Sequence, residues 1–286
     1  MAIIVAGKTI ANEMLADLQL RVERLAAGGG KAALAVVLVG DDKPSQIYIR
    51  KKSEAARQIG VAFFDFHYPA DITHQQLIEE VRNIQHQHDL SGMIVQLPVP
   101  EPLWPYAREV ADHIALNIDV DCLSHQALGR MMMNENRLIP PTPAAILHIL
   151  RHYDVSWEGK EICLVGRGDL IGRPLAAMLT HEKVTLTVCG RATKDLARYT
   201  RSADIVVTGV GKRNLVRGDM LKKGAVVIDA GVSFVDGMMY GDVEFASARE
   251  VASLITPVPG GVGPITVAKL LENTMRVAEM KLSQTV

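Results

Sequence analysis

The amino-acid sequence predicts an α/β protein in two lobes, the second Rossmann-like and doubly wound. Three observations predict it. Short, continuously apolar runs alternate with helical patterns almost throughout, as strands covered on both faces by helices do. A proline-rich break interrupts the pattern near the middle of the chain. A glycine-rich turn then joins a strand pattern to a helix pattern in the second half.

Ala33 to Val39 is wholly apolar and rich in valine, a buried strand. Ser45 to Ile59 carries a helical stripe. Gly92 to Leu97 is another strand, stopped by Pro98 and Pro100. At Pro140-Pro-Thr-Pro143 the first lobe ends; Thr142 is suited to cap a helix whose first turn takes Pro143, and Ile146, Leu147, Ile149 and Leu150 continue it. Four short strands follow, Glu161–Val165, Thr185–Val188, Asp204–Val207 and Ala225–Asp229, with helices between them. A last helical pattern runs from about Ile265 to Lys281 and is suited to pack back on the first lobe. No internal repeat or low-complexity segment interrupts the series.

Composition narrows the function classes. With 286 residues, 48% hydrophobic and 22% charged, the chain supports a real core. A net charge of -1 gives no global field toward nucleic acid or an anionic membrane. The longest apolar runs are too short to span a bilayer, and the first residues lack the pattern of a signal peptide, so the expectation is a cytoplasmic protein. Three cysteines, with no Cys-x-x-Cys pair, point away from a disulfide framework or a cysteine zinc site. The nine histidines occur singly, and no metal site is expected.

The turn Gly166-Arg167-Gly168-Asp-Leu-Ile171-Gly172 follows a strand and opens a helix. Glycines there admit a pyrophosphate, and a helix N-terminus offers it free N–H groups. The spacing is G-x-G-x-x-x-G rather than G-x-G-x-x-G, so the turn alone also fits a ligand-free strand–helix corner. The next strand leads into Gly190-Arg191, without the acid that an NAD site presents to the ribose. Arg167 and Arg191 suit the 2′-phosphate of NADP, which favours NADP over NAD; two solvated surface arginines are the plainer alternative.

In the first lobe Ser45, Tyr48, Lys52, Ala55 and Ile59 share one helical stripe, while Arg50, Lys51, Glu54, Arg57 and Gln58 fall elsewhere. Lys52 thus lies on the apolar face. Desolvation lowers a lysine pKa and makes the amine a proton-transfer group near neutral pH; a lysine whose stem merely covers apolar surface is the alternative. Gln96 places an amide within an apolar strand, where it needs partners. Asp119-Val-Asp121 offers two carboxylates, a pattern that loops also use for capping. Thr256-Pro-Val-Pro-Gly-Gly261-Val-Gly-Pro264 combines fixed φ angles with close approach, as a seat for a flat ligand or as a hinge between lobes.

Five strings in order, nearly end to end, resemble the bifunctional methylenetetrahydrofolate dehydrogenase/methenyltetrahydrofolate cyclohydrolase family: Val39 to Lys52, Gly92 to Pro98, Asp119 to Asp121, Val165 to Pro174 and Ile255 to Pro264. The resemblance implies two α/β lobes around a cleft. An N-terminal α/β catalytic domain, residues 1–143 with 264–286, holds the folate, and a Rossmann-like domain, residues 144–263, holds NADP. It implies oxidation of 5,10-methylene-tetrahydrofolate followed by hydrolysis of the methenyl product to 10-formyl-tetrahydrofolate, within one-carbon metabolism and purine biosynthesis. Lys52 would handle protons in the hydrolytic step, Gln96 would tune it, Tyr48 would stack near the pterin and Asp121 would bond its amino-pyrimidine edge. Leu97, Pro98, Gly261 and Pro264 complete the implied substrate set. Val210, Gly211, Gly231 and Val232 join Gly166, Arg167, Gly168, Ile171, Gly172 and Arg191 as the implied cofactor set. Homodimerisation through the cofactor lobe is a further implication.

The sequence departs from the family pattern at Cys122-Leu123, where glycine and an aromatic or leucine are common, at Pro141 for a cysteine, at Gly168 for a serine, and at Gly190-Arg191 for His-Ser. Two departures touch the nucleotide turn, so the alternatives are a paralogue with one activity or a non-catalytic folate- or nucleotide-binding paralogue. Retention of Lys52 argues against the latter, since binding alone needs no tuned amine. An unrelated NADP dehydrogenase would not need the Gln96 strand or the Pro-Val-Pro-Gly-Gly loop. Replacing Arg191 with Ala should raise the dissociation constant for NADP much more than that for NAD; an equal loss for both would remove the 2′-phosphate assignment.

Overall fold

The computed structural model describes residues 1–285. In chain order the strands and helices are β1 (Ile3–Ile4), α1 (Gly7–Ala27), β2 (Ala33–Val39), α2 (Lys43–Ile59), β3 (Ala62–Tyr68), α3 (His74–Gln87), β4 (Gly92–Val95), α4 (Ala107–Asp112), α5 (His125–Met132), α6 (Pro141–His152), β5 (Glu161–Val165), α7 (Gly172–Leu179), β6 (Thr185–Cys189), α8 (Leu196–Ser202), β7 (Ile205–Thr208), β8 (Val226–Asp229), β9 (Ser233–Val235), β10 (Met238–Tyr240), α9 (Phe245–Val251), β11 (Leu254–Ile255) and α10 (Val262–Thr285). They form two compact units. One comprises Asn12–Pro141 and the chain from Val267 onward; the other comprises Met1–Ala11 and Thr142–Thr266.

The first unit contains a parallel three-stranded sheet of order β3-β2-β4. All seven residues of β2 are buried, because a strand lies on each side and apolar side chains leave both faces. Each fully buried valine or leucine side chain there contributes about 1.5–3 kcal/mol. The last part of α10 belongs to this unit, an assignment that periodicity alone does not decide. Asn273 on that helix donates from Nδ2 to the carbonyls of Val120, at 2.9 Å, and Ile139, at 2.7 Å. It thereby ties the segment containing Asp121 to the C-terminal helix.

The second unit contains a six-stranded parallel sheet of order β1-β11-β8-β7-β5-β6, with a β9–β10 hairpin beside it. Four of its strands are those that the apolar runs predict. The other two, β1 and β11, have two residues each and are too short to carry a period. Their pairing moves a boundary. Residues 1–11 sit with the six-stranded unit, not with the N-terminal α/β domain expected from 1–143, because Ile3 and Ile4 pair with Leu254 and Ile255. That unit also extends to Thr266 rather than ending at 263.

Local ends shift for local reasons. Helix α2 starts at Lys43, not Ser45, because Asp42 caps it, accepting from the Ser45 amide at 2.8 Å and its hydroxyl at 2.7 Å. Helix α6 starts at Pro141, so Thr142 lies inside the first turn rather than capping it; prolines are tolerated there because first-turn N–H groups have no helical partner. Strand β4 ends at Val95, one residue before Gln96. Among the described residues no helix is long and apolar enough to cross a membrane.

Candidate active site

In the three-stranded sheet the chain passes from β2 to β3 on one side and then to β4 on the other. The order reverses between β2 and β4, and in open α/β sheets a ligand crevice forms at the carboxyl ends of such a pair. The connection after β2 leads through the turn at Gly40, where φ is +74°, into α2 and Lys52. The connection after β4 begins with Gln96. Lys52 is 9% exposed, and its Nζ donates to Gln96 Oε1 at 2.9 Å. The other end of the same amide, Nε2, donates to the Leu97 carbonyl at 2.7 Å, which fixes which atom faces the lysine. Because Gln96 stands just past the end of β4, its side chain is released from the sheet pleat while its amide still donates to the Val37 carbonyl at 2.8 Å.

Burial pushes the Lys52 amine below the ordinary lysine range, and the nearby Asp121 carboxylate opposes this more weakly. Burial likewise pushes Asp121 up; Lys52 pulls it down and Asp119 adds to the rise. Both shifts move the pair away from the fully charged state. Tyr48, one turn before Lys52, is half-buried, with its hydroxyl pushed up by desolvation.

The Asp-Val-Asp triplet divides. Asp119 is 1% exposed and accepts from the amides of Leu123, at 3.3 Å, and Ser124, at 3.0 Å, so it holds the start of α5. Asp121 remains half-buried, with Lys52 acting on it. Cys122 after it has φ +56°, the left-handed region that glycine favours. A buried cysteine thus occupies a backbone conformation that glycine adopts more easily.

The six-stranded sheet repeats the rule. Its chain runs from β5 to β6 on one side and then to β7 on the other, so the reversal lies between β5 and β7. A depression there is lined by Val165, Gly166, Ile171, Gly172, Thr208 and Gly209, among others. Gly166 has φ +113°. A side chain at Gly172 would collide with the Gly166 carbonyl, whereas one at Gly168 would meet nothing within 4 Å. The turn therefore needs glycine at 166 and 172 and not at 168. Arg167 and Arg191 are exposed, and a Cβ at Gly190 would lie 3.0 Å from Arg167 Nε, so this glycine leaves room for the arginine.

Two buried carboxylates, overlooked in the sequence reading, lie beside this crevice. Asp229 ends β8 and accepts from the Thr208 hydroxyl at 2.9 Å and the amides of Gly231, Asp242 and Val243 at 3.0, 3.1 and 2.8 Å. Asp242 accepts from the amides of Val210, at 2.6 Å, and Lys212, at 2.7 Å. Burial, partly offset by these donors, holds the Asp229 carboxyl at about 6. No local pattern marks the pair, because the contacts that hold it are distant in sequence.

The structure thus brings together Tyr48, Lys52, Gln96, Leu97 and Asp121 in the three-stranded unit, with Pro98 next in the chain. It gathers Gly166, Ile171, Gly172, Val210, Gly211 and Gly231 around one end of the six-stranded sheet, with Val232 following. Gly261 and Pro264, expected with the folate residues, belong to the six-stranded unit, Pro264 in the first turn of α10. Among the described residues no group of three potential ligands could hold a metal ion.

A dinucleotide-type sheet in one unit and a buried, amide-tethered lysine in another define the class as a two-unit α/β enzyme. Comparison with known proteins makes the class particular. A model of the tetrahydrofolate dehydrogenase/cyclohydrolase catalytic domain matches residues 5–121, and a model of the NAD(P)-binding domain of the same enzymes matches residues 140–282. The Bifunctional protein FolD of Bacillus licheniformis is 40% identical over 279 residues, 97% of this chain and 98% of that protein. The crystal structure of the bifunctional FolD methylenetetrahydrofolate dehydrogenase/cyclohydrolase from Campylobacter jejuni superposes with a TM-score of 0.93 at 34% identity, covering 98% of this chain and all of that one. The Trypanosoma brucei dehydrogenase-cyclohydrolase, solved with NADP cofactor and an inhibitor, gives a TM-score of 0.93 at 35% identity over 98% of each chain. The chain belongs to the tetrahydrofolate dehydrogenase/cyclohydrolase family.

Replacing Gly172 with Ala should destabilise the protein by about 1–3 kcal/mol, the usual cost of overpacking, and weaken nucleotide binding, whereas Gly168→Ala should leave both nearly unchanged. Denaturant unfolding and nucleotide titration of the two variants test this contrast; equal behaviour would contradict it.

Proposed function

We propose that the chain oxidises 5,10-methylene-tetrahydrofolate to the 5,10-methenyl compound with NADP and hydrolyses that product to 10-formyl-tetrahydrofolate. The observation that carries the reading is the buried Lys52 amine held by Gln96 with Asp121 acting on it. The three-stranded unit supplies the folate site. Tyr48 offers a flat, partly desolvated ring to a pterin, and Asp121 an acceptor to its amino-pyrimidine edge. Burial lowers the Lys52 pKa and so favours the neutral amine, the form that can take a proton from the water attacking the methenyl carbon. Gln96 accepts one amine hydrogen, which orients the nitrogen, and its own orientation is set through Leu97. Leu97 and Pro98 continue that wall; Gly261 and Pro264 belong to the same proposed substrate set.

The six-stranded unit supplies the nucleotide site. Glycine at 172 lets the turn pack closely on itself, since a Cβ there would strike the Gly166 carbonyl, and two guanidinium groups flank the end of β6, which fits a dinucleotide carrying a 2′-phosphate. NADP, when bound, supplies the hydride acceptor. The residues that would hold it are Gly166, Arg167, Gly168, Ile171, Gly172, Arg191, Val210, Gly211, Gly231 and Val232. The same reading makes the protein a cytoplasmic homodimer serving one-carbon metabolism and purine biosynthesis.

A steady-state assay with 5,10-methylene-tetrahydrofolate and NADP, following reduced nucleotide and methenyl product together, tests both activities. Lys52→Met should abolish hydrolysis of added methenyl-tetrahydrofolate in a protein that still folds. Hydrolysis retained at the wild-type rate would refute the role given to Lys52.

A further inference from the structure

The loop after β7 has the geometry of an anion cradle. Gly211 has φ +76°, which turns successive amides toward one point, an arrangement that commonly receives a phosphate. Here the point is occupied by the protein's own carboxylate. Asp242 Oδ2 takes the Val210 amide, Oδ1 takes the Lys212 amide, and the Gly211 amide also faces it. Asp242 is fully buried, and a side chain at Gly231 would collide with its carboxylate. The carboxylate is therefore packed from two sides.

This arrangement reaches the glycine turn directly. A Cβ at Gly166 would lie 2.8 Å from the Gly209 carbonyl and 3.1 Å from Val210 Cγ2, so the loop held by Asp242 forms one wall of the crevice at Gly166. Asp242 is itself held from behind, since its backbone amide donates to Asp229 Oδ1, the oxygen that also accepts from the Thr208 hydroxyl. Asp229 in turn is anchored through its amide to the Thr256 hydroxyl at 2.7 Å.

We propose that Asp242 is the positioning residue of the nucleotide site: its carboxylate fills the amide cradle of residues 210–212 and fixes Gly209 and Val210 against the glycine turn, with Asp229 as its brace. The loop then meets the nucleotide through the exposed side chain of Val210 and its outward carbonyls, not through its amides, which are already bound. The inference rests on the reading that the six-stranded unit binds NADP.

The test is direct titration of the full-length protein with NADP, beside hydrolysis of methenyl-tetrahydrofolate as a check on the rest of the fold. In Asp242→Asn the side-chain NH2 must face at least one backbone N–H, and loss of such charge-assisted bonds, worth about 1.5–3 kcal/mol, raises the NADP dissociation constant about tenfold or more. The loss in NADP affinity should exceed any loss in hydrolysis by about the same factor. Thr208→Val, isosteric and lacking one donor to Asp229, should show a smaller rise in the same direction, and it carries the test alone if Asp242→Asn does not fold. Unchanged NADP affinity in the folded variants would overturn the proposal, as would equal losses of NADP binding and hydrolysis, which mark a general structural role. A wild-type protein that binds no NADP would instead overturn the nucleotide reading on which the proposal rests.

Discussion

An amine carried into the interior of an α/β unit loses its hydration, and it stays available as a neutral base only if the fold supplies a partner that does not charge it fully. The hydrogen bond between Lys52 and Gln96 meets that condition. A carboxylate as nearest partner would stabilise the ammonium and restore an ordinary lysine pKa; an amide oxygen orients the amine with a much smaller electrostatic effect. Asp121 opposes the shift but does not reverse it. Nearly every feature of the three-stranded unit supports this pair. Asp42 caps α2 and fixes where it begins, the end of β4 places Gln96 outside the pleat, and Asn273 on α10 secures the segment that presents Asp121.

Both units use one topological device. In each parallel sheet the order in which strands are added reverses beside a central strand, and the residues of interest follow the two strands at that switch: Lys52 and Gln96 after β2 and β4, the glycine turn and the Gly209–Val210 loop after β5 and β7. The units differ in how they stabilise their loops. The three-stranded unit uses a cation, an amide and a carboxylate. The six-stranded unit uses two buried carboxylates that collect backbone N–H groups, so the acidic charge near its crevice is committed to structure, while Arg167 and Arg191 are exposed.

What could be read from the sequence was what has a local cause. The buried strand Ala33–Val39 and the strand Glu161–Val165 have the predicted bounds, because a continuous apolar run of that length is decided by its own residues. The stripe placing Lys52 on the apolar face was likewise legible, since helical spacing alone decides it. Strands β1 and β11 were not, because two residues carry no period and pair only through the fold. The partition of Asp119 from Asp121 was not legible either: alternation puts both on one side, and only the amides of Leu123 and Ser124 decide that the first is structural. Asp242 was missed for the same reason, since its partners lie some thirty residues earlier in the chain.

The proposed hydrolytic chemistry turns on the state of one nitrogen, and its most direct test is the ionisation of Lys52 itself. Protein labelled with ¹³C at lysine Cε, titrated by NMR and assigned by comparison with Lys52→Met, should show the Lys52 amine titrating below the ordinary lysine value of about 10.4. Replacing Asp121 with Asn should lower that lysine further, because the carboxylate opposes the shift. A Lys52 resonance that titrates at or above the ordinary value would contradict the account, leaving an ammonium paired with Asp121 rather than an amine held ready by Gln96.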